Sequence, residues 1–398
     1  MAIITGLKMN NFNKFGKINE STFTPSSVIA NQQFQEFLNP SGGPVAGIPI
    51  PILDQNLAKI IVTRVDDIIW YLNRYSLELN FKHDQLTIDE FLAYARKWGF
   101  AGAQLHVAKG DPCICLTGES DEYLRDLAYQ KKERRLDLQI DISSTDKSEI
   151  EEAVRVARAM GVPVIRCYIR LGGTFSEIVE QAIKDLCYAA ELVEKWGIEL
   201  LLEQHEFLTG PEMLEIVKAV NNPSLGILFD FGNPVTAGRE PLDDIMVLQE
   251  YIRGAHCKDV LIARSDKYWA QLGVQMGQGD LNLPKIFFDL LMLGSEKPQV
   301  QFLAIQMVVD YYAQGHRAES DLNTHVYNKK PTSVTCLADN LSETELQKSL
   351  HQERMDAQTG FQYCKNLVEN LKMFGTQFVV ESGYRVDRHP NVSGIMEL

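Results

Sequence analysis

The sequence lacks the features of a nucleic-acid-binding or membrane protein. Its 39 Lys and Arg residues are outnumbered by 53 Asp and Glu residues, which gives a formal net charge of -14. No stretch concentrates basic side chains enough to follow a phosphate backbone. No apolar window is long enough to cross a bilayer, and the first residues lack a charged leader followed by an apolar core. We therefore expect a soluble cytoplasmic protein with no nucleic-acid or membrane partner.

The sequence also lacks disulfide frameworks and dinucleotide-binding turns. Its seven cysteines, an odd number, are scattered, and the one close pair, Cys113 and Cys115, has the wrong spacing for a redox motif. This distribution predicts reduced thiols. No Gly-x-Gly-x-x-Gly turn follows the first predicted strand, which argues against an open doubly wound sheet.

What the sequence does contain is a repeated alternation of short apolar strands and helical segments. Helices are predicted to end at glycines such as Gly99, Gly161, Gly197 and Gly294, where a left-handed residue lets the chain turn into the next strand. A chain of 398 residues accommodates a barrel of about 250 residues with terminal additions. We therefore predict an α/β fold, a (β/α)₈ TIM barrel. Its eight strands are predicted to start at or near Leu77, Gln104, Leu136, Val164, Leu200, Gly226, Ile252 and Gln301.

The two ends of the chain are predicted to elaborate this barrel. Residues 1–75 form an N-terminal arm, with sparse regular structure up to about residue 50 and a helix over 54–73 that closes the bottom of the barrel. Residues 76–312 form the catalytic barrel. Residues 313–398 hold a loop, a long helical extension that completes the barrel, and a tail that covers a neighbour in a homo-oligomer. We expect this helix to break near Thr359–Gly360 and to stop at Gly375.

Three predicted strands end in side chains that bind metal ions, namely Glu203, Asp230 and His256. The carboxyl ends of parallel strands meet at one end of a barrel, so these side chains are expected to converge at its mouth. Two carboxylates and an imidazole form a hard, oxygen-rich site suited to one divalent ion such as Mn, Mg, Co or Zn. The alternative is that these polar residues only cap barrel loops.

Other polar residues near these positions are candidates for catalysis or substrate binding. His205 shares a strand face with Glu203, so it could orient a ligand, bind a hydroxyl group or act as an acid or base. Lys258 shares a face with His256 and could stabilise an enolate oxygen, whereas Asp259 faces away and anchors Lys258 or a loop. The candidate substrate-binding residues are His106, Arg166, Asn233 and Arg264.

At these positions the chain resembles the xylose-isomerase-like sugar phosphate isomerase/epimerase family, also called the AP endonuclease family 2 fold. The resemblance spans roughly residues 76–312. It implies a second metal-binding glutamate on the eighth strand, where this chain has Gln306. An amide carbonyl can bind a hard cation but cannot take up a proton at neutral pH, so Gln306 is expected to serve as a metal ligand and not as a base. The matching segments are Glu203-Gln-His205, Asp230-Phe-Gly-Asn233, His256-Cys-Lys258-Asp259 and Gly277-Gln-Gly-Asp280.

The resemblance implies an enzyme that acts on a small carbohydrate, a sugar, keto-sugar or polyol derivative. The expected reaction is isomerisation or epimerisation through a metal-stabilised enediolate, with Glu203, His205 and Lys258 as catalytic residues. Gln306 leaves open a metal-dependent lyase that eliminates a β-substituent. A second alternative is a non-catalytic barrel that acts as a binding or assembly protein.

Overall fold

The chain folds as a closed barrel of eight parallel strands with additions at both ends. The computed structural model describes residues 25–107, 115–265, 268–315, 317 and 341–381. The strands of this part are β1 (Trp70–Asn73), β2 (Gly102–His106), β3 (Asp137–Asp141), β4 (Val164–Tyr168), β5 (Glu199–Glu203), β6 (Leu225–Asp230), β7 (Ile252–Cys257), β8 (Asp259–Arg264), β9 (Trp269–Val274), β10 (Phe302–Ile305) and β11 (Tyr312–Gln314). The barrel closes in the order β1-β10-β7-β6-β5-β4-β3-β2. The predicted TIM barrel is confirmed.

Helices connect the barrel strands and cover their outer faces. They are α1 (Pro25–Leu38), α2 (Gln55–Asp66), α3 (Glu78–Lys82), α4 (Ile88–Trp98), α5 (Asp121–Arg134), α6 (Lys147–Met160), α7 (Phe175–Glu194), α8 (Gly210–Val220), α9 (Asn233–Thr236), α10 (Pro241–Leu248), α11 (Leu283–Met292) and α12 (Glu343–Glu381). Helix α4 begins at a capping box of Thr87 and Glu90 and ends at Gly99 with φ 90°, as the sequence predicts. Among the helices described, none is long and apolar enough to cross a membrane.

The first barrel strand lies earlier than the sequence predicts. Strand β1 is fully buried and pairs with both β2 and β10. The residues predicted as this strand, Leu77–Phe81, instead belong to a short helical turn and to α3. The helix predicted over 54–73 ends at Asp66. The prediction extended it too far, because the apolar residues after Asp66 fit helical spacing and strand alternation equally well. The barrel therefore begins at Trp70, inside the range assigned to the arm.

The arm contains more regular structure than its sequence predicts. Helix α1 occupies residues that we expected to be irregular. Its buried Phe34 packs edge-on against Phe288 and Phe374, with ring centroids 5.4 Å and 5.9 Å away. These contacts, which join segments distant in sequence, stabilise the helix and leave no local signal. Residues 1–24 lie outside the described chain.

Helix α12 is continuous from Glu343 to Glu381, without the predicted break or stop. A Cβ atom on Gly375 would lie 2.7 Å from the carbonyl oxygen of Ala58, and one on Gly360 would lie 2.9 Å from Met307 Cε. Gly375 therefore allows α12 to approach the backbone of α2 closely, which a larger residue would prevent, whereas the end of the Met307 side chain could shift away from a larger residue at position 360. Phe361 of α12 stacks on Phe100, so the helix covers the barrel wall next to β1.

A three-stranded antiparallel sheet is added at the carboxyl end of the barrel. Strand β8 starts directly after Lys258 and forms a hairpin with β9, and β11 pairs with β9. Asp259 Oδ2 accepts the N–H groups of Gly277 and Gly279 at 2.9 Å each. The expectation that Asp259 anchors a loop is confirmed.

The barrel interior has an apolar layer below and a polar layer above. The apolar layer consists of Tyr71, Val164, Leu201, Leu228, Phe302 and Ala304. Strand side chains alternate, so the residue two positions after each of these also faces inward, one step nearer the carboxyl end. These six residues lie on five strands, since Phe302 and Ala304 share β10, and on each of the five the next inward-facing residue beyond the layer is polar, namely Asn73, Arg166, Glu203, Asp230 and Gln306. The apolar layer thus supports a polar floor at the mouth.

Candidate metal and substrate site

Glu203, Asp230 and His256 converge in this polar layer. Ligand atoms from the three side chains all lie within 4.8 Å of one another, and all three side chains are buried. His256 Nδ1 is 2.8 Å from Glu203 Oε1, and strand pairing places Asp230 opposite His256. The structure therefore brings together the three residues predicted as metal ligands, in a donor set that suits a divalent ion.

Two basic side chains flank these carboxylates. Arg166 lies with an amino nitrogen 2.9 Å from Glu203 Oε2, and Lys258 Nζ lies 3.0 Å from Asp230 Oδ1. Burial disfavours the charge of Glu203, but Arg166 and His256 outweigh burial and hold the pKa of this carboxyl well below its usual range. A carboxylate with so low a pKa suits a ligand better than a general base.

Gln306 occupies the fourth position of the cluster. One of its amide atoms lies 3.1 Å from Asp230 Oδ2 and 3.2 Å from His256 Nδ1, and the other lies 3.2 Å from an Arg166 nitrogen. With Oε1 turned towards Asp230 and His256, lone pairs of the cluster face one another, an arrangement that a cation between them stabilises. With Nε2 turned there, the amide donates to these atoms instead. The residues present therefore fit a divalent ion, and Gln306 can adapt to its presence.

His205 lies in the loop after β5, beyond Glu203 in the mouth. Its ring stacks on Tyr168, with centroids 4.0 Å apart and an interplanar angle of 8°. Its Nδ1 atom is buried and has no hydrogen-bond partner among the described residues. Burial lowers the pKa of His205, in opposition to Glu206 and Glu203, so the neutral ring is favoured. A neutral imidazole with an unpartnered nitrogen can accept a proton.

The predicted substrate-binding residues differ in their positions relative to the cluster. His106 ends β2 with Nε2 2.9 Å from Ser143 Oγ. Asn233 accepts a hydrogen bond from Lys258 Nζ at 2.7 Å, so it positions that ammonium. Arg264 ends β8 and pairs with Glu240 at 2.6 Å on the surface. The structure does not bring Arg264 to the cluster, because β8 leaves the barrel as part of the hairpin.

Two further parts of the site were not predicted. Gln104 Oε1 lies 3.1 Å from His256 Nε2. The sequence could have predicted this residue, because Gln104 and His106 alternate on one face of an apolar strand. Gln271 of β9 is 1% exposed, and neither of its amide atoms has a partner among the described residues. A Cβ atom on Gly232 would lie 2.7 Å from Gln271 Oε1 and 2.9 Å from Lys258 Cε, so Gln271 borders Lys258. Nothing local marked Gln271, because the hairpin carries it to the mouth.

Comparisons with known proteins agree with this fold. The chain is 29% identical over 318 residues to the uncharacterized protein YihM of Escherichia coli. The aligned region covers 80% of this chain and 96% of that protein. It is 30% identical over 129 residues to the 3-oxo-isoapionate decarboxylase of Pectobacterium atrosepticum, which covers 32% of this chain and 46% of that protein. A crystal structure of D-psicose 3-epimerase in the presence of D-fructose shares the fold, with a TM-score of 0.51, 11% identity, and coverage of 76% of this chain and 99% of that one. Residues 92–300, just over half of the chain, match the xylose isomerase-like TIM barrel family, and the chain belongs to that family.

Proposed function

We propose that this chain is a divalent-metal-dependent enzyme that acts on a sugar, keto-sugar or polyol derivative. The observation that carries the proposal is the convergence of Glu203, Asp230 and His256 at the mouth of the barrel. Glu203, Asp230, His256 and Gln306 would hold the ion, which we expect to be Mn, Mg, Co or Zn. When bound, such an ion would polarise a substrate carbonyl and acidify the neighbouring C–H bond.

The side chains around the cluster are suited to move one proton. His205 is the candidate base, because its ring is neutral and its Nδ1 atom has no hydrogen-bond partner among the described residues. Lys258 is held by Asp230 and Asn233 and adds positive charge where a substrate oxygen would become negative. Gln271 is the candidate hydrogen-bond partner of a substrate hydroxyl group. Within the isomerase/epimerase class, these roles fit isomerisation best, in which the proton returns to the adjacent carbon.

A second candidate is a lyase on the same scaffold, and Gln306 favours it. An amide cannot accept a proton, so a reaction that needs bases on both faces of the substrate is poorly served. β-Elimination needs one base to remove a proton, while the β-substituent leaves with its bonding electrons. Decarboxylation, the reaction named for the Pectobacterium relative, breaks a C–C bond to release CO₂ and needs one proton afterwards. Both require proton transfer on one face only.

Elemental analysis and solvent exchange test the proposal together. We expect the purified protein to carry about one equivalent of divalent metal. We also expect it to incorporate solvent deuterium into a keto-sugar from a panel incubated in D₂O, with the position and face of the deuterium read by NMR. Deuterium on one face of the product would support the one-base reading, and full-rate inversion of a stereocentre in both directions would exclude it. No metal, no activation by added metal and no exchange would refute the enzyme and favour a binding or assembly barrel.

A further inference from the structure

A chain of buried amide side chains leads from the start of the barrel to His256. Asn73 ends β1, and its Nδ2 atom donates to Gln104 Oε1 at 2.7 Å and to Asp141 Oδ2 at 2.8 Å. Gln104 Nε2 donates in turn to Gln139 Oε1 at 2.8 Å. Gln104 Oε1 also lies 3.1 Å from His256 Nε2. These residues lie on β1, β2, β3 and β7, beside the metal-binding cluster.

The direction of every hydrogen bond in this chain is fixed by the backbone at one end. The N–H group of Tyr75 lies 2.9 Å from Asn73 Oδ1, and a backbone N–H can only donate. Asn73 must therefore present its oxygen to Tyr75 and its Nδ2 atom to Gln104. Because Nδ2 can only donate, Gln104 must present Oε1 to Asn73, and so to His256 as well. The orientation of both amides follows from one backbone group.

This orientation favours the form of His256 in which Nε2 carries a proton. Gln104 Oε1 is an acceptor only, so it forms a hydrogen bond with the nitrogen that faces it, Nε2, only when Nε2 carries a proton. Asn73 Nδ2 lies 3.5 Å from Nε2, but both of its hydrogens are donated to Gln104 and Asp141. In the neutral ring the lone pair then lies on Nδ1, which faces Glu203 Oε1 at 2.8 Å. Two acceptors at this distance repel each other unless a cation lies between them or His256 is protonated. The amide chain thus turns the lone pair of His256 towards the predicted metal position.

We propose that Gln104, oriented by Asn73, is a positioning residue that selects the Nε2-protonated tautomer of His256 and presents Nδ1 as the metal ligand. The inference rests on the metal binding that forms part of the proposed function. Partners that hold the second nitrogen of a metal-binding histidine typically change metal affinity about 10- to 100-fold when removed. Gln104 and His256 are both fully buried, so no water competes for this contact from bulk solvent.

The matched variants Gln104→Met and Gln104→Glu test the proposal in the full-length protein with zinc. Gln104→Met keeps the side-chain length but removes the acceptor, and we expect zinc affinity to fall about 10- to 100-fold in competition with a chelating dye. Gln104→Glu keeps an acceptor towards both Asn73 and His256, and we expect affinity equal to or above that of the natural protein. Thermal melting in the presence of a chelator checks that each variant is folded.

The nitrogen that binds zinc gives an independent measurement. In protein labelled with ¹⁵N-histidine, the signal that is lost in His256→Gln belongs to His256, and we expect its Nδ1 to carry zinc and its Nε2 to carry hydrogen. Zinc on Nε2, or equal zinc affinity of the natural protein, Gln104→Met and Gln104→Glu, would overturn the proposal. Absence of zinc binding in the natural protein would instead refute the metal-dependent function itself, so the two failures are distinguishable.

Discussion

Replacing Gln306 by glutamate should tighten metal binding with little effect on the metal-free fold. The new carboxylate would lie where the amide now lies, 3.1 Å from Asp230 Oδ2 and 3.2 Å from an Arg166 nitrogen. With an effective dielectric constant of about 20, the repulsion and the attraction are each about 5 kcal/mol. The two terms nearly cancel, so we expect the melting temperature without metal to change little.

A bound divalent ion removes this balance, because it attracts the added negative charge. The attraction between the new carboxylate and the ion is offset by the loss of the amide ligand and of solvation. If a net gain of about a quarter of 5 kcal/mol remains, metal affinity rises about tenfold, since about 1.4 kcal/mol is a factor of ten. Chelator competition with Mn²⁺ and with Zn²⁺ measures this, and Gln306→Met serves as the control that removes the ligand atom. Equal affinity in all three proteins would refute the assignment of Gln306 to the metal site.

Three further predictions concern the base, the hairpin and the outer wall. His205→Ala should retain metal and lose about two to four orders of magnitude in turnover of a substrate found in the deuterium screen, whereas lost metal with normal turnover per bound ion would make His205 a ligand. Gln271→Leu should raise the melting temperature, because it removes a buried amide whose atoms lack partners among the described residues. The same variant should raise KM about tenfold with kcat unchanged. A fall in kcat alone would contradict a binding role. Burial raises the pKa of Asp289 to about 7 despite its partner Lys285. The folded state therefore keeps a proton on Asp289 that the unfolded state loses above about pH 4. The free energy of unfolding should consequently fall as the pH rises from about 4 to about 7. Urea unfolding of the double variant Lys285→Met and Asp289→Leu should show a flatter pH dependence, and an unchanged slope would remove Asp289 from the explanation.

The sequence predicts the barrel and its cluster because both depend on local patterns. A glycine after four of the helices, with a short apolar strand beyond it, identifies the repeating unit without knowledge of contacts. Glu203, Asp230 and His256 could be grouped because strand ends of one barrel meet at one mouth. Neither step requires the position of any distant residue.

The errors lie where distant contacts override a local pattern. Gly375 reads as a helix stop, yet its lack of a side chain serves the approach of α12 to Ala58. Trp70 reads as the end of a helix, yet pairing with Leu303 makes it the start of β1. Gln271 has no signal of its own, because the hairpin that carries it to Lys258 is positioned by loop anchors such as Asp259.

The pairing of β1 with β10 has a consequence for synthesis on the ribosome. These two strands complete the barrel, although more than half of the chain separates them. Until β10 has emerged, β1 and β7 each expose an edge whose N–H and C=O groups have no strand partner, and such edges pair readily with other chains. The nascent protein therefore spends most of its synthesis as an open sheet, and its demand for chaperones should be set by the time that β10 takes to appear.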